Sequence, residues 1–222
     1  MLVGNRMSHP AITIHPETSL QDALDLMHTE HIRRLPVVDR KGKLVGIVAE
    51  KDLLKASPSS ATTLSVFEMK SLVRKLEIRE FMATDVVTVT EETPLEEAAR
   101  IMADGKFSGL PVVRGGEVVG MITETDVFKV FLEIFGARQA GVRINFLISQ
   151  EAGHLAKITE ALVNAGGNII ALGSFMGETS QNAEITMKIE GIKQEELVRL
   201  FTPLVEKILD VRCADIRCAP EN

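Results

Sequence analysis

Residues 7–38 and 82–113 are one segment written twice. They align without a gap at an offset of 75, with 11 identities in 32 positions, including Met7, Thr13, Glu17, Thr18, Leu20, Ala23, Met27 and the run Leu35-Pro36-Val37-Val38 with their counterparts. One residue is dropped in the next turn, and the match resumes as Val45-Gly46-Ile47-Val48-Ala49-Glu50-Lys51-Asp52 against Val119-Gly120-Met121-Ile122-Thr123-Glu124-Thr125-Asp126. Such a unit is too small for two independent domains and too long for a solenoid repeat. One pseudo-symmetric domain with two related clefts is expected.

Each copy opens on a short β-rich run, Ile12–Ile14 or Val86–Val89. A capping-box pattern follows, with Thr18 or Thr93 as N-cap and Gln21 or Glu96 at the third helical position. Pro94 suits a first helical residue. Leu20, Ala23, Leu24 and Met27, and equally Leu95, Ala98, Ala99 and Met102, recur at i, i+3, i+4, i+7, which places one buried stripe on each helix. Two strands then flank a glycine-containing turn (Arg34–Val38 with Leu44–Ala49, Leu110–Val113 with Val118–Thr123), and a second helix starts near Glu50 or Glu124. The unit reads β-α-β-β-α. Ser57–Thr63 is a polar loop, residues 65–76 are expected to form a linker helix, and the apolar helix Phe128–Phe135 should stop at Gly136.

From Val142 the pattern changes to βαββαβ, a ferredoxin-like order. Strands are expected at Val142–Ser149, Asn168–Phe175, Ala183–Ile189 and Val211–Cys218. Helices are expected after Gly153 and over Glu195–Ile208, and Gly166 suits a helix C-terminus.

Composition removes several function classes. With 9 Phe and neither Trp nor Tyr, the core is aliphatic and a stacking platform for single-stranded nucleic acid is not expected. The net charge of −6 argues against a phosphate-backbone binder. No apolar run is long enough to span a membrane. Cys213 and Cys218 in one strand would point to opposite faces, as two thiols of a reducing cytoplasm. No His/Cys cluster has metal-ligand spacing and no nucleophile or phosphate-loop motif occurs, so neither a catalytic residue nor a metal site is assigned.

The strand Leu-Pro-Val-Val followed by Gly-h-h-x-x-x-Asp, present twice, resembles the tandem cystathionine-β-synthase-type (CBS) pair, or Bateman module, over about residues 1–136. The later segment, with Gly153-x-Leu155, Ile158 and Gly166-Gly167-Asn168-Ile169, resembles the ACT domain, a small amino-acid-sensing module, over about 142–218. Where that family often carries Asp-x-Pro-Gly, this chain reads Gln150-Glu151-Ala152-Gly153. The combination is similar to the acetoin-utilisation-type family of small bacterial regulatory proteins. It implies an α+β (α/β) fold: CBS repeat 1 at 1–56, a linker loop and helix at 57–78, CBS repeat 2 at 79–136, and an ACT domain at 142–218.

The candidate chemistry lies where a strand gives way to a helix. Free N–H groups at a helix start attract an anion such as phosphate, and Thr123 adds a hydroxyl. The carboxylate of Asp126, one turn on, can accept from both hydroxyls of a ribose. The bland alternative is an ordinary N-cap, Thr123 with Asp126, which is compatible with binding. The first copy keeps Asp52 but has Ala49 in place of the hydroxyl, with Lys51 as a compensating charge. Arg33 and Arg34 suit bidentate phosphate contacts in either cleft, whereas their counterparts are Ser108 and Gly109. The CBS resemblance implies an adenosine ligand whose adenine lies against Val86, Val87 and Val112. The ACT resemblance implies an amino-acid site using Gly153, Leu155 and Asn168 between two subunits, with plain loop packing as the alternative.

These readings point to a non-catalytic regulatory sensor. It would bind an adenine nucleotide (AMP, ADP or ATP-like), form a homodimer or higher homo-oligomer, and control a partner protein. The alternatives are an oligomerisation scaffold with empty clefts and, from another class, an enzyme of acetoin or nucleotide metabolism.

Overall fold

The computed structural model describes residues 1–56 and 76–214. The loop at 57–63, the linker helix as far as residue 75, and Cys218 lie outside the described residues; Leu76, its expected last residue, is not helical. The chain divides into two units, Met1–Val127 and Phe128–Asn222.

In the first unit each copy holds a helix, a hairpin and a second helix. These are α1 (Leu20–Thr29), β1 (Arg34–Val38), β2 (Leu44–Ala49) and α2 (Glu50–Ala56), then α3 (Leu95–Gly105), β3 (Gly109–Arg114), β4 (Glu117–Thr123) and α4 (Glu124–Ile134), whose residues from Phe128 belong to the second unit. Both hairpins are antiparallel and share a register: Arg34 pairs with Ala49 and Gly109 with Thr123, with irregularities at Val37/Val38 and Val112/Val113. The opening runs form no strands; each contributes one parallel bridge, Ile14 to Val37 and Val89 to Val112.

The helix starts fall one residue later than the capping-box reading. Ser19 caps α1, accepting from the Asp22 amide at 3.1 Å, and Pro94 occupies the N-cap of α3. The threonines are used elsewhere: Thr18 Oγ1 accepts from the His15 amide at 3.2 Å and Thr93 Oγ1 from that of Thr90 at 3.0 Å. Each hydroxyl closes the preceding turn, a local bond that competes with capping.

The two copies exchange their leading segments. The 3₁₀ turn Ile78–Glu80 precedes the second copy but sits in the core of the first, where Ile78 packs with Leu20, Met27, Leu35 and Leu53 and its amide donates to Thr18 O at 2.9 Å. The turn Val3–Asn5 mirrors it, with the Val3 amide donating to Thr93 O and the Gly4 amide to Glu91 O, both at 2.9 Å. Two glycines make the exchange possible. A methyl on Gly46 would lie 2.7 Å from Met82 Sδ and 3.0 Å from Ala83 O, and one on Gly120 2.5 Å from Met7 Sδ and 3.0 Å from Ser8 O. Each copy therefore completes the other within the first unit.

The second unit carries β5 (Gly141–Ser149), α5 (His154–Asn164), β6 (Asn168–Met176), β7 (Asn182–Glu190), α6 (Gln194–Phe201) and β8 (Lys207–Ala214). The sheet order is β6-β7-β5-β8, wholly antiparallel, the ferredoxin-like arrangement. Alternation along β5 sends Val142, Ile144, Phe146 and Ile148 to one face, where Ile158 and Leu162 of α5 and Leu197 and Phe201 of α6 close the core. Phe146 and Phe201 meet edge to face at 5.1 Å.

Helix α6 ends at Phe201, seven residues short of the periodicity reading. Pro203 has no amide to continue the ladder. Leu204 and Ile208, whose spacing mimicked a longer helix, reach the same core from the turn and from β8. Helix α4 stops as expected: Gly136 takes φ +55°, and the amides of Gly136 and Ala137 donate to Glu133 O and Leu132 O.

Candidate functional site

The strand-to-helix corner of the second copy is built by its cap. The Thr123 amide and hydroxyl donate to Asp126 Oδ2 at 3.0 and 2.6 Å, and the Asp126 amide approaches Thr123 Oγ1 at 3.4 Å. The Glu124 amide donates to Ser108 O. The amides of Thr123, Glu124 and Asp126 are thus engaged inside the copy, which leaves fewer donors at this helix start than the sequence pattern implied. The cap does not exhaust Asp126: an ionised carboxylate offers about four acceptor sites.

The positive charge at this corner comes from the other copy. Gly109, the counterpart of Arg34, is buried. A methyl built on it would lie 3.3 Å from Thr123 Cγ2 and 3.6 Å from Arg34 Nη1. The guanidinium and Thr123 thus flank one small gap that glycine keeps open. Arg34 is half-buried; desolvation and then the neighbouring Arg33 lower its pKa, while Glu124 opposes that shift. It remains a cation, since a guanidinium is not deprotonated in a protein, and it makes no side-chain hydrogen bond among the described residues. Glu124 at the start of α4 and the glycine space are features the sequence reading missed. The pairing of Arg34 with Gly109 at offset 75 was the available signal.

The corner of the first copy is different. Ala49 provides no cap, and Asp52 is exposed and turned to Lys55 Nζ at 3.6 Å. Lys51 and Arg33 are exposed. Glu50 donates its amide to Arg33 O and its side chain lies 3.2 Å from His28 Nε2, bordering an open depression of about 500 Å³ with Met27, His31, Ile32 and Arg33.

A protein-family model for the CBS domain matches residues 3–59 and 78–133. The chain belongs to the CBS-domain family. Solved CBS pairs resemble its first part. The CBS domain pair of protein MJ0100, in complex with 5′-methylthioadenosine and S-adenosyl-L-methionine, is 33% identical at a TM-score of 0.50, covering 59% of this chain and 95% of that one. CBSX2 of Arabidopsis thaliana in complex with AMP is 32% identical at 0.50, covering 60% and 97%. A putative acetoin utilization protein (AcuB) from Vibrio cholerae is 34% identical at 0.50, covering 60% and 90%. Curated relatives range from one of which the chain covers 93% to longer proteins of which it covers 37% and 23%.

The other candidate residues of this CBS-domain protein are scattered. Val86 is half-buried and Val87 is 38% exposed, so both present surface, whereas Val112 is fully buried and bridges Val89 of the same run. In the second unit Gly153 is an exposed left-handed N-cap (φ +86°) and Leu155 packs on the core. Asn168 starts β6 and donates to Glu190 at 2.7 Å. The length of α5, about 16 Å at 1.5 Å per residue, separates Gly153 from Asn168, so one chain does not bring this trio together. His154 is half-buried, with Nε2 2.7 Å from Leu204 O. Cys213 is a free exposed thiol. Among the described residues no cluster of His, Cys, Asp or Glu is placed to hold a metal, and no helix is long and apolar enough to cross a membrane.

Proposed function

We propose that residues 1–127 form a regulatory sensor for an adenine nucleotide and that the ligand sits at the second corner. The observation that carries this reading is Arg34, a cation with no side-chain hydrogen bond among the described residues, whose Nη1 reaches from the first copy to the gap beside Thr123, in the cap that contains Asp126. In this arrangement Asp126 accepts from the ribose hydroxyls, Arg34 and Arg33 neutralise the phosphate, and Val86 and Val87 face the base, with Val112 buried beside the same run. Relatives crystallised with AMP or with S-adenosyl-L-methionine support an adenosine-bearing ligand. The arginines favour the anionic member of that set. Asp52 and Lys51 form a weaker first site, or none.

The protein is read as non-catalytic, with CBS repeats at 1–56 and 79–136 around a linker at 57–78, and an ACT domain at 142–218. The ferredoxin-like sheet supports that last reading, and similarity to the AcuB structure supports an acetoin-type regulator. Gly153, Leu155 and Asn168 form an amino-acid site only if a second subunit brings them together. A cytoplasmic homodimer acting on a partner protein completes the proposal.

Calorimetric titration with AMP, ADP, ATP, NAD and S-adenosylmethionine tests it. Binding of at least one nucleotide is expected, strongly weakened by Asp126→Ala. No heat with any of them would favour the scaffold reading, for which the uncapped first corner is the supporting feature.

A further inference from the structure

Four of the nine phenylalanines form a continuous row on the second unit: Phe128, Phe131, Phe135 and Phe175, with successive centroid separations of 6.0, 4.7 and 5.9 Å. The row does not serve the core, which lies on the opposite face of the sheet around Phe146 and Phe201. Phe175 pairs in register with Glu184, and with Arg143 and Thr186 they edge a groove of about 560 Å³ beside Phe131 and Phe135. Phe128 is 60% exposed, Phe131 51%, Ile134 52% and Phe175 47%. Isolated exposed apolar residues are common, but a contiguous run of rings marks an interaction surface.

The row is held rigidly. Phe135 lies against Gly173, where a methyl would come within 2.6 Å of its ring. The buried ammonium of Lys188 donates to Gly136 O at 2.7 Å, tying the end of α4 to the sheet. A preorganised surface loses little entropy on docking.

We infer that this aromatic face is the contact between two copies of the chain. Two observations select a second copy over a foreign partner. The flanking charges are balanced and already satisfied, Arg143 by Asp210 at 2.9 Å and Glu184 by the Asn145 amide at 2.8 Å. The face therefore has no net sign with which to select an oppositely charged protein, whereas a balanced surface can meet itself across a two-fold axis. The size also fits. At about 200 Å² per side chain, the exposed parts of Phe128, Phe131 and Phe175 offer about 300 Å² of apolar surface. With the usual apolar share of about 57%, that corresponds to about 550 Å² per copy, near the lower end of specific interfaces at about 600 Å² per copy. The contact needs no nucleotide, so it stands or falls separately from the proposed corner site.

Sedimentation equilibrium of the full chain without ligand tests it, comparing wild type with Phe131→Glu and with Val163→Glu, which alters an equally exposed apolar residue on α5. The wild type and Val163→Glu should be dimeric at micromolar concentration. Phe131→Glu should raise the dissociation constant about a hundredfold or more, because a carboxylate would be buried without a partner, while its circular dichroism stays native. If Phe131→Glu misfolds, Phe131→Ser and Phe128→Ser replace it. A wild type monomeric at 100-fold higher concentration, or well-folded Phe131 and Phe128 variants that remain dimeric, would overturn the inference.

Discussion

The two strand-to-helix corners descend from one pattern and have diverged in opposite directions. At the second, Thr123 draws Asp126 back over the start of α4, and Gly109 leaves room for Arg34 from the other copy. At the first, Ala49 cannot hold Asp52, which turns outward to Lys55. A pseudo-two-fold places Arg34 and Gly109 at equivalent positions, so the large residue of one copy occupies the space vacated by the small residue of the other. The lesson is that a duplicated fold concentrates chemistry by asymmetry: the cationic pair Arg33-Arg34 at the start of β1 lies in one copy, and the cap that orients the carboxylate lies in the other.

The largest effect expected from this contrast is at the carboxylates. Asp126→Ala should weaken nucleotide binding about a hundredfold, the loss of two charge-assisted hydrogen bonds at about 1.5 kcal/mol each. Asp52→Ala should change it less than about threefold. Isothermal calorimetry decides, and equal losses would erase the distinction between the corners. Asp126→Ala also removes a cap and should cost about 1 kcal/mol of stability, read separately by thermal unfolding.

The segment exchange should be symmetric where the corners are not. Gly46→Ala and Gly120→Ala each force a methyl to about 3.0 Å from a backbone oxygen, beside a methionine sulfur that can yield. Each should cost about 1–3 kcal/mol by overpacking. Urea denaturation of the two variants checks this. A cost in only one of them would mean that the leading segments are not equivalent.

Much of this was legible because periodicity and chain order survive local error. The stripe Leu20/Ala23/Leu24/Met27 is buried as its spacing requires, as are Leu95, Ala98 and Met102 of the second stripe, with Ala99 half-buried at its edge, and βαββαβ specified the ferredoxin-like sheet order. What escaped depends on competition and on distance. Thr18 and Thr93 are good N-caps, but nearer turn amides claim their hydroxyls. Leu204 and Ile208 keep helical spacing beyond a proline because turn and strand can reach the same core. A repeat reveals which residues are equivalent, not which are adjacent. Nothing in the alignment shows that Ile78 completes the first copy, or that Arg34 crosses to the second.

Charge placement at the second corner should respond in opposite senses to two changes. Arg34→Met should weaken AMP about tenfold, the order of one charge-assisted contact, and leave adenosine unaffected. Glu124→Gln removes an anion that draws on Arg34 and repels phosphate, so AMP should bind several-fold tighter. Calorimetry with the two ligands separates charge from shape; equal loss of adenosine in Arg34→Met would assign Arg34 to packing.

The smallest effect is the most diagnostic of how the corners diverged. Ala49→Thr restores the missing hydroxyl at the end of β2, opposite Arg34 in the hairpin register. The hydroxyl can accept from the Asp52 amide and donate to its carboxylate, as Thr123 does at Asp126. Asp52 should then leave Lys55, a surface pair worth little, and the helix should gain about 1 kcal/mol from a new cap. Thermal unfolding should register a rise of a few degrees. Nucleotide stoichiometry should stay unchanged, because the first corner would have a cap but still no arginine reaching into it from Gly109's side. A second bound nucleotide in Ala49→Thr would show instead that the cap alone makes a site, and that the cation from the opposite copy is dispensable.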